Sequence, residues 1–96
     1  MIIKRRVKID NPQGLHARPA SVFVKIANKY DVEVTVKKGG EKVNGKSIMG
    51  LMMLAANRGS VLEIEIIGAD AEKAMQELER FLVNDKEEEK KKGGAS

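Results

Sequence analysis

Hydrophobic residues alternate with polar ones in three stretches of this chain, which is the pattern of strands with one apolar face. These stretches run from Ile3 to Ile9, from Val32 to Val36 and from Leu62 to Ile66. Arg5 breaks the apolar row of the first stretch. Lys38-Gly39-Gly40-Glu41 is a hairpin signal, so a short further strand is expected from Lys42 to Asn44.

Helical spacing of apolar residues also occurs three times. The first helix is predicted from about Ala17 to Lys29, and it buries Ala20, Phe23, Val24 and Ala27. Ser47 stands at an N-cap position before an apolar run that ends at Leu54, and Gly59 is expected to end that short helix. Asp70 can cap a last helix with an apolar stripe of Ala71, Ala74, Met75, Leu78 and Leu82.

The elements follow in the order βαββαβα. Strands with one apolar face and only three helices favour a sheet that is covered on one side and open to solvent on the other. The predicted fold is therefore an α+β open-faced sandwich with helices on one face. Residues 1–84 form the predicted domain, whereas the charged residues 85–96 cannot bury apolar area and are predicted to be a disordered tail.

Composition limits the chemistry. The chain has no cysteine and one histidine, so disulfides and thiolate or histidine-rich metal sites are excluded, and no cofactor is expected. No apolar run approaches the ~18 residues of a membrane span, and the first residues do not resemble a signal peptide. We expect a cytoplasmic protein without membrane insertion.

Charge is unevenly distributed along the chain. Residues 1–50 hold 11 basic and 4 acidic side chains, which predicts a positive field that attracts acidic partner surfaces and phosphorylated groups. Nucleic acid is the rival explanation of a pI near 9.4. Three aromatic residues leave little surface for base stacking, so no nucleic-acid binding is expected.

The segment from Asn11 to Ala20 contains the single histidine. His16 lies between Gly14, which lets the backbone turn, and Pro19, which suits a first helical turn. A helix N-terminus attracts anions, and Arg18 adds a forked set of donors that matches phosphate oxygens. An exposed imidazole is also a nucleophile. The pattern indicates a histidine that carries a phosphoryl group; the alternative is an ordinary surface histidine at a helix start.

The sequence Gly14-Leu15-His16-Ala17-Arg18-Pro19-Ala20 resembles the active-site signature of HPr, the histidine-containing phosphocarrier of the bacterial sugar phosphotransferase system. Val43-Asn44-Gly45-Lys46-Ser47-Ile48-Met49-Gly50-Leu51-Met52 resembles the regulatory-serine segment of that family, and the likeness covers about residues 1 to 84. It implies a four-stranded antiparallel sheet and a phosphoryl carrier rather than an enzyme. In that family, the histidine accepts phosphate from enzyme I and passes it to enzyme IIA components of sugar permeases.

The resemblance also implies two further sites. Ser47 would be phosphorylated by an HPr kinase/phosphorylase and would then bind a transcriptional regulator, in addition to serving as a helix cap. Ile48, Met49 and Met52 would form a partner-binding patch beside His16, whereas core filling is the alternative for methionines at helical spacing. Met53 is expected in the core with Leu51 and Leu54.

Three other functions stay open at this point. A nitrogen-type regulatory phosphocarrier would use the same chemistry, but the full Ser47 motif argues against it. A purely regulatory binding protein controlled at Ser47 would not need His16. A small hydrolase with His16 as its base lacks an obvious second catalytic group. Nothing in the sequence demands more than a monomer.

Overall fold

A computed structural model of the chain describes the backbone of residues 1–95 and the side chains of residues 1–83. Its elements are β1 Ile2–Lys8, α1 Ala17–Ala27, β2 Glu33–Lys38, β3 Glu41–Asn44, α2 Ile48–Met53, β4 Val61–Ile67 and α3 Ala71–Ala95. The predicted order βαββαβα is confirmed. The predicted disordered tail, residues 85–96, lies outside the residues whose side chains are described. Within the described part of the chain, no helix has the length and apolar character needed to cross a bilayer.

The four strands form one sheet in the order β1-β4-β2-β3, and every neighbouring pair is antiparallel. In this register Val7 stands opposite Leu62, and Val36 lies between Ile64 and Val43. Because paired residues point to the same side of a sheet, these apolar residues share one face. The predicted four-stranded antiparallel sheet is confirmed.

The core lies between that apolar face and the helices. Leu62, Ile64 and Ile66 of β4 are fully buried, as are Phe23 of α1 and Leu78 of α3. The opposite face of the sheet has exposed charged residues on β1, at Lys4, Arg6 and Lys8, beside half-buried glutamates on β4. The helices therefore cover one face only.

Arg5 interrupts the apolar row of β1 without interrupting the strand. It stays in the ladder opposite Ile64, and its guanidinium donates to Oε1 of Glu79 in α3 at 2.9 Å. A charged residue is tolerated on the covered face because β1 is an edge strand, so the long side chain reaches the rim of the core and finds a carboxylate there.

Two predicted helix ends are corrected. α1 ends at Ala27, two residues before Lys29, and Asn28 is its C-cap. α2 ends at Met53 rather than near Gly59, because Ala55 takes the left-handed conformation (φ +51°) that usually follows a helix at a glycine. The Nζ of Lys38 lies 3.3 Å from the Leu54 carbonyl oxygen and 3.4 Å from that of Ala55, so it donates to carbonyls left open at this helix end.

A small polar cluster joins the end of α1 to α3. The Tyr30 hydroxyl donates to Oε1 of Glu77 at 2.6 Å, and the Lys29 ammonium forms an ion pair with Oε2 of the same carboxylate. The hydrogen bonds from Lys29 and then from Tyr30 favour the ionised carboxylate and hold the pKa of Glu77 below its ordinary value. The same contacts raise the pKa of Lys29 and of Tyr30.

We expect Glu77→Gln to lower the free energy of unfolding at neutral pH and to lose this effect in acid. A carboxylate whose pKa is lowered by folding stabilises the fold above its unfolded pKa, and this contribution disappears as the pH falls through the folded pKa. The difference between the parent and the variant should therefore be constant above about pH 5 and shrink at lower pH. Urea unfolding at a series of pH values measures it.

Tyr30→Phe serves as the matched control, because it removes one of the two hydrogen bonds and keeps the carboxylate. Its loss of stability at neutral pH should be smaller than that of Glu77→Gln. A difference between parent and Glu77→Gln that does not change between pH 3 and pH 7 would contradict the role assigned to this cluster.

Candidate functional site

His16 is the N-cap residue of α1, as the sequence predicts. Its backbone is extended (φ −77°, ψ −170°), and its carbonyl accepts the first helical hydrogen bond from the Ala20 N–H at 2.8 Å. The side chain makes no capping bond to the helix, and the residue is exposed. The imidazole is therefore open to a partner protein from solvent.

The first turn of α1 offers donors to an anion. The N–H groups of Ala17 and Arg18 have no acceptor within the helix, and Pro19 has no N–H at all. No acidic residue stands in this turn, so no carboxylate of the helix competes for these donors. Arg18 is exposed and brings a guanidinium to the same turn. Together these groups can stabilise a phosphoryl group on His16.

The loop before His16 contains a tight turn at Asn11. The sequence alone does not predict that this turn helps to position the site. The carbonyl of Asn11 accepts from the Gly14 N–H at 3.0 Å, and its side-chain Oδ1 accepts from the Gln13 N–H at 3.0 Å. Asn11 is 2 % exposed. The sequence does contain a signal for this turn, because Asn11 is followed by Pro12, and asparagine followed by proline is a typical turn start.

The same loop is attached to α3. The N–H groups of Asp10 and Asn11 donate to the carbonyl of Leu82 at 3.1 and 3.2 Å. The side-chain Nδ2 of Asn11 is buried with no hydrogen-bond partner in the described part of the structure. Asn11 thus makes its contribution through its carbonyl, its N–H and Oδ1, all of which shape the loop.

On its other side, the loop contacts the segment that leaves α2. The Leu15 N–H donates to the Ala56 carbonyl at 2.8 Å, and the Leu15 side chain is buried. Gly14 has a φ of +63°, and a Cβ at this position would lie 2.5 Å from the Ala56 oxygen and 2.9 Å from the Asn57 Cα. Gly14 is therefore needed for its backbone conformation, which the sequence predicts, and for this close approach, which the sequence does not predict.

Ser47 is the N-cap residue of α2, as predicted. Its Oγ accepts from the Gly50 N–H at 3.0 Å, and the residue is half-buried. Its carbonyl also accepts from the Leu51 N–H at 3.0 Å, which starts the helix. The hydroxyl that is the candidate for phosphorylation is thus already engaged with the helix start.

The six-residue helix α2 has a buried and an exposed side. Leu51 and Leu54 are buried against the core, as predicted. The expectation that Met53 belongs to the core is wrong, because Met53 is 71 % exposed. It lies one turn after Met49, which is 75 % exposed, whereas Ile48 and Met52 are 40 % and 44 % exposed. We call these four exposed residues, Ile48, Met49, Met52 and Met53, the α2 patch.

The helix that carries the α2 patch is linked to α1 and to the His16 loop. α1 packs directly against α2, and Ala56, which follows α2, is the residue that is hydrogen-bonded to Leu15. The structure therefore joins the loop that precedes α1 to the segment that follows α2. In the described part of the chain, no group of three or more His, Asp or Glu side chains is placed to hold a metal ion.

Gly14→Ala is expected to destabilise the protein by roughly 2 kcal/mol or more and to displace the His16 loop. The added Cβ combines a left-handed conformation with a clash against backbone atoms, which cannot move aside as a side chain end could. Urea unfolding gives the stability, and the amide signals of Leu15 and Ala56 in NMR spectra report the loop.

Gly39→Ala is the matched control. Gly39 has nearly the same φ of +59°, but nothing lies within 4 Å of the position of its Cβ. Its loss of stability should be only about 1 kcal/mol, the usual effect of a left-handed conformation. Equal losses for the two variants would show that the close approach at Gly14 has no importance.

Comparisons with known proteins agree with this geometry. Residues 3–84 match the family described as the PTS HPr component phosphorylation site. The phosphocarrier protein HPr of Neisseria meningitidis serogroup A is 49% identical over 77 residues, which are 80% of this chain and 86% of that protein. The crystal structure of a phosphocarrier protein HPr from Bacillus anthracis superposes with a TM-score of 0.82 at 41% identity, over 84% of this chain and 96% of that one.

Two other similar proteins differ in name or in assembly. The HPr-like protein Crh of Halalkalibacterium halodurans is 42% identical over 81 residues, which are 84% of this chain and 96% of that protein. An HPr dimer from Thermoanaerobacter tengcongensis has a TM-score of 0.65 and 43% identity, over 78% of this chain and 86% of that one. The expectation of a monomer does not fit this dimeric relative.

Proposed function

The chain belongs to the HPr family of phosphocarrier proteins, and from this membership we propose that it carries a phosphoryl group on His16 in the phosphotransferase system. The observation that supports this proposal best is the position of an exposed imidazole at the N-cap of α1, beside two backbone N–H groups without a helical acceptor. The protein acts in the cytoplasm as a covalently phosphorylated substrate of other proteins, and it needs no cofactor of its own.

The transfer is a displacement at phosphorus. A ring nitrogen of His16 attacks the phosphorus of a phosphohistidine on enzyme I, a new N–P bond forms, and the N–P bond of the donor breaks and returns its electron pair to the donor imidazole. In the second transfer His16 is the donor: a nucleophilic side chain of an enzyme IIA component attacks the phosphorus and forms a new bond to it, while the N–P bond to His16 breaks and its electron pair returns to the imidazole. During each transfer, the N–H groups of the helix start and the Arg18 guanidinium neutralise charge on the phosphoryl oxygens.

A carrier must hold its phosphate weakly enough to release it. A net preference of about 1.4 kcal/mol for one partner already biases the transfer tenfold. An exposed helix terminus contributes about 0.3 to 1 kcal/mol, and Arg18 is exposed to solvent, where screening by water keeps its contribution small. The weak, open site at His16 therefore suits reversible transfer better than a closed phosphate-binding pocket would.

The α2 patch is the proposed docking surface for enzyme I and for enzyme IIA components. Its exposed apolar side chains are Ile48, Met49, Met52 and Met53, and the segment that follows this helix is hydrogen-bonded to the His16 loop. Methionines adapt their shape to different partners, as a protein that binds both a donor and an acceptor requires. The excess of basic residues between positions 1 and 50 favours partners with acidic surfaces.

Ser47 is the proposed regulatory site, phosphorylated by an HPr kinase/phosphorylase. Phosphorylation adds about −1.5 to −2 charges at the edge of the α2 patch. The second candidate function is that of a regulatory binding protein that docks a transcriptional regulator when Ser47 is phosphorylated. The likeness to Crh of Bacillus subtilis, which is described as a catabolite repression HPr, favours it. The presence of His16 supports phosphoryl transfer as the main function. A nitrogen-type regulatory phosphocarrier would also transfer a phosphoryl group through His16, so His16 does not distinguish that alternative.

We expect His16→Ala to fold normally and to lose all labelling by phosphoenolpyruvate and enzyme I. The residue is exposed and its side chain caps nothing, so its removal should leave stability nearly unchanged. Acid-labile phosphate is the measurement, and Ser47→Ala, which keeps the histidine, is the labelled control. Acid-labile phosphate on His16→Ala would disprove the assignment.

Arg18→Lys is expected to slow transfer while leaving stability nearly unchanged. An ammonium keeps the positive charge but cannot make the two-pronged contact that a guanidinium makes with a phosphoryl group. Rapid-quench measurements of transfer from enzyme I and to an enzyme IIA component should show the decrease in both directions. Arg6→Lys, on the open face of the sheet, is the matched control and should transfer at the parental rate.

Ser47→Asp is expected to raise the KM for this protein in the enzyme I reaction at low salt, with the effect decreasing as salt increases. Aspartate is itself a good N-cap, so stability should change little, while the new charge opposes docking on the α2 patch.

Ser47→Ala separates the two roles of this residue, since it removes the cap without adding charge. It should lower the free energy of unfolding by about 1 kcal/mol and leave the KM unchanged. If Ser47→Asp instead lowers the melting temperature by many degrees and keeps the parental KM, then Ser47 is a structural cap and the regulatory proposal fails.

A further inference from the structure

Three of the five methionines of this chain lie on the exposed side of α2. We propose that Met49, Met52 and Met53 form an oxidation site, at which peroxides convert the thioethers to sulfoxides and thereby weaken the docking of partner proteins. This inference rests on the proposed function, because docking on the α2 patch is part of it. It adds a chemical modification and a condition under which phosphoryl flow decreases.

Exposure separates these methionines from the one in the core. Met49 and Met53 are 75 % and 71 % exposed and stand one turn apart, while Met52 is 44 % exposed. Met75 in α3 has no exposed surface, and Met1 at the chain start is 67 % exposed. Since an oxidant must reach the sulfur, oxidation of the folded protein should begin at Met49, Met53 and Met1, reach Met52 later and spare Met75.

The reaction is balanced with a peroxide as the oxidant. A sulfur lone pair of the thioether attacks one peroxide oxygen, an S–O bond forms, and the O–O bond breaks. The sulfur loses two electrons, and the second oxygen leaves as hydroxide. The oxygen now bound to sulfur gives up its proton, and the hydroxide takes a proton to form water. The reverse change needs a thiol-dependent methionine sulfoxide reductase, which removes the oxygen as water.

Oxidation at these positions leaves the fold intact. The two ends of α2 are held by bonds that involve no methionine, one from the Gly50 N–H to Ser47 Oγ and one from Lys38 Nζ to the Leu54 carbonyl. Leu51 and Leu54 anchor the helix in the core. The oxidised side chains of Met49 and Met53 stay in water, where the S=O group is hydrated, and that of Met52 remains in contact with it.

Docking is the step that oxidation disturbs. A sulfoxide is polar, and covering it with the apolar surface of a partner removes its hydrogen bonds to water without replacing them. The penalty falls on association rather than on chemistry at His16, because none of the three methionines belongs to the helix start that receives the phosphoryl group. The expected signature is therefore a higher KM with an almost unchanged kcat.

The test treats the full chain with increasing hydrogen peroxide, maps sulfoxides by mass spectrometry of peptides, and measures transfer from enzyme I. We expect sulfoxides on Met49 and Met53 first and none on Met75. The KM should rise about tenfold, which corresponds to about 1.4 kcal/mol of docking free energy. The kcat and the melting temperature should change little, and a methionine sulfoxide reductase should restore the parental KM.

The control is a triple variant, Met49→Leu with Met52→Leu and Met53→Leu, in which Met1 and Met75 remain. Its KM is compared only with its own value before peroxide, so any change that the leucines make to docking cancels. This ratio should stay near one. A rise equal to that of the parent would overturn the proposal, since the effect would then come from Met1 or Met75.

Two other outcomes are informative. A parental KM that stays unchanged although Met49, Met52 and Met53 carry sulfoxides would overturn the oxidation site and leave the proposed function intact. An untreated protein that accepts no phosphate from enzyme I would instead contradict the proposed function, and the present inference would fail with it.

Discussion

The position of His16 depends on hydrogen bonds that hold its loop between two other parts of the chain. The N–H groups of Asp10 and Asn11 donate to Leu82 of α3, and the Leu15 N–H donates to Ala56 beyond α2. These bonds satisfy the backbone of a loop that has no strand or helix of its own. As a result, the start of α1 is held against the segment that follows α2, although Leu15 and Ala56 are far apart in sequence.

Most of the fold could be predicted because the strands alternate clearly and are covered on one side only. The alternation of apolar and polar residues is enough to predict three core positions in β4. These positions, Leu62, Ile64 and Ile66, are all fully buried. The failures came where tertiary contacts decide the outcome. Ala55 takes the left-handed conformation at the end of α2, where the sequence predicts Gly59 to end the helix. Met53 lies on the exposed side of α2, a helix too short for the spacing of its apolar residues to show which side is buried.

The candidate site was predicted only in part. His16, Arg18 and Ser47 stand where local signals place them, at two helix starts, because capping preferences depend on the adjacent residues. The close approach of Gly14 to Ala56 could not be read from neighbouring residues, since it depends on how the segment after α2 crosses the loop. The role of Asn11 was missed for a different reason, because its turn signal was visible but its burial against α3 was not.

The short helix α2 is where stability and function are most closely coupled. Six residues are too few for a helix to persist alone in water, so α2 depends on the Ser47 cap, on Lys38 at its other end and on the burial of Leu51 and Leu54. These stabilising contacts lie at the two ends of α2 and on its buried side. The exposed side, which includes Met49, can therefore be available for binding without any change to the fold. Under the proposed function, a charge at the cap or a polar group on the outer side would therefore act first on binding and only weakly on the stability of the fold.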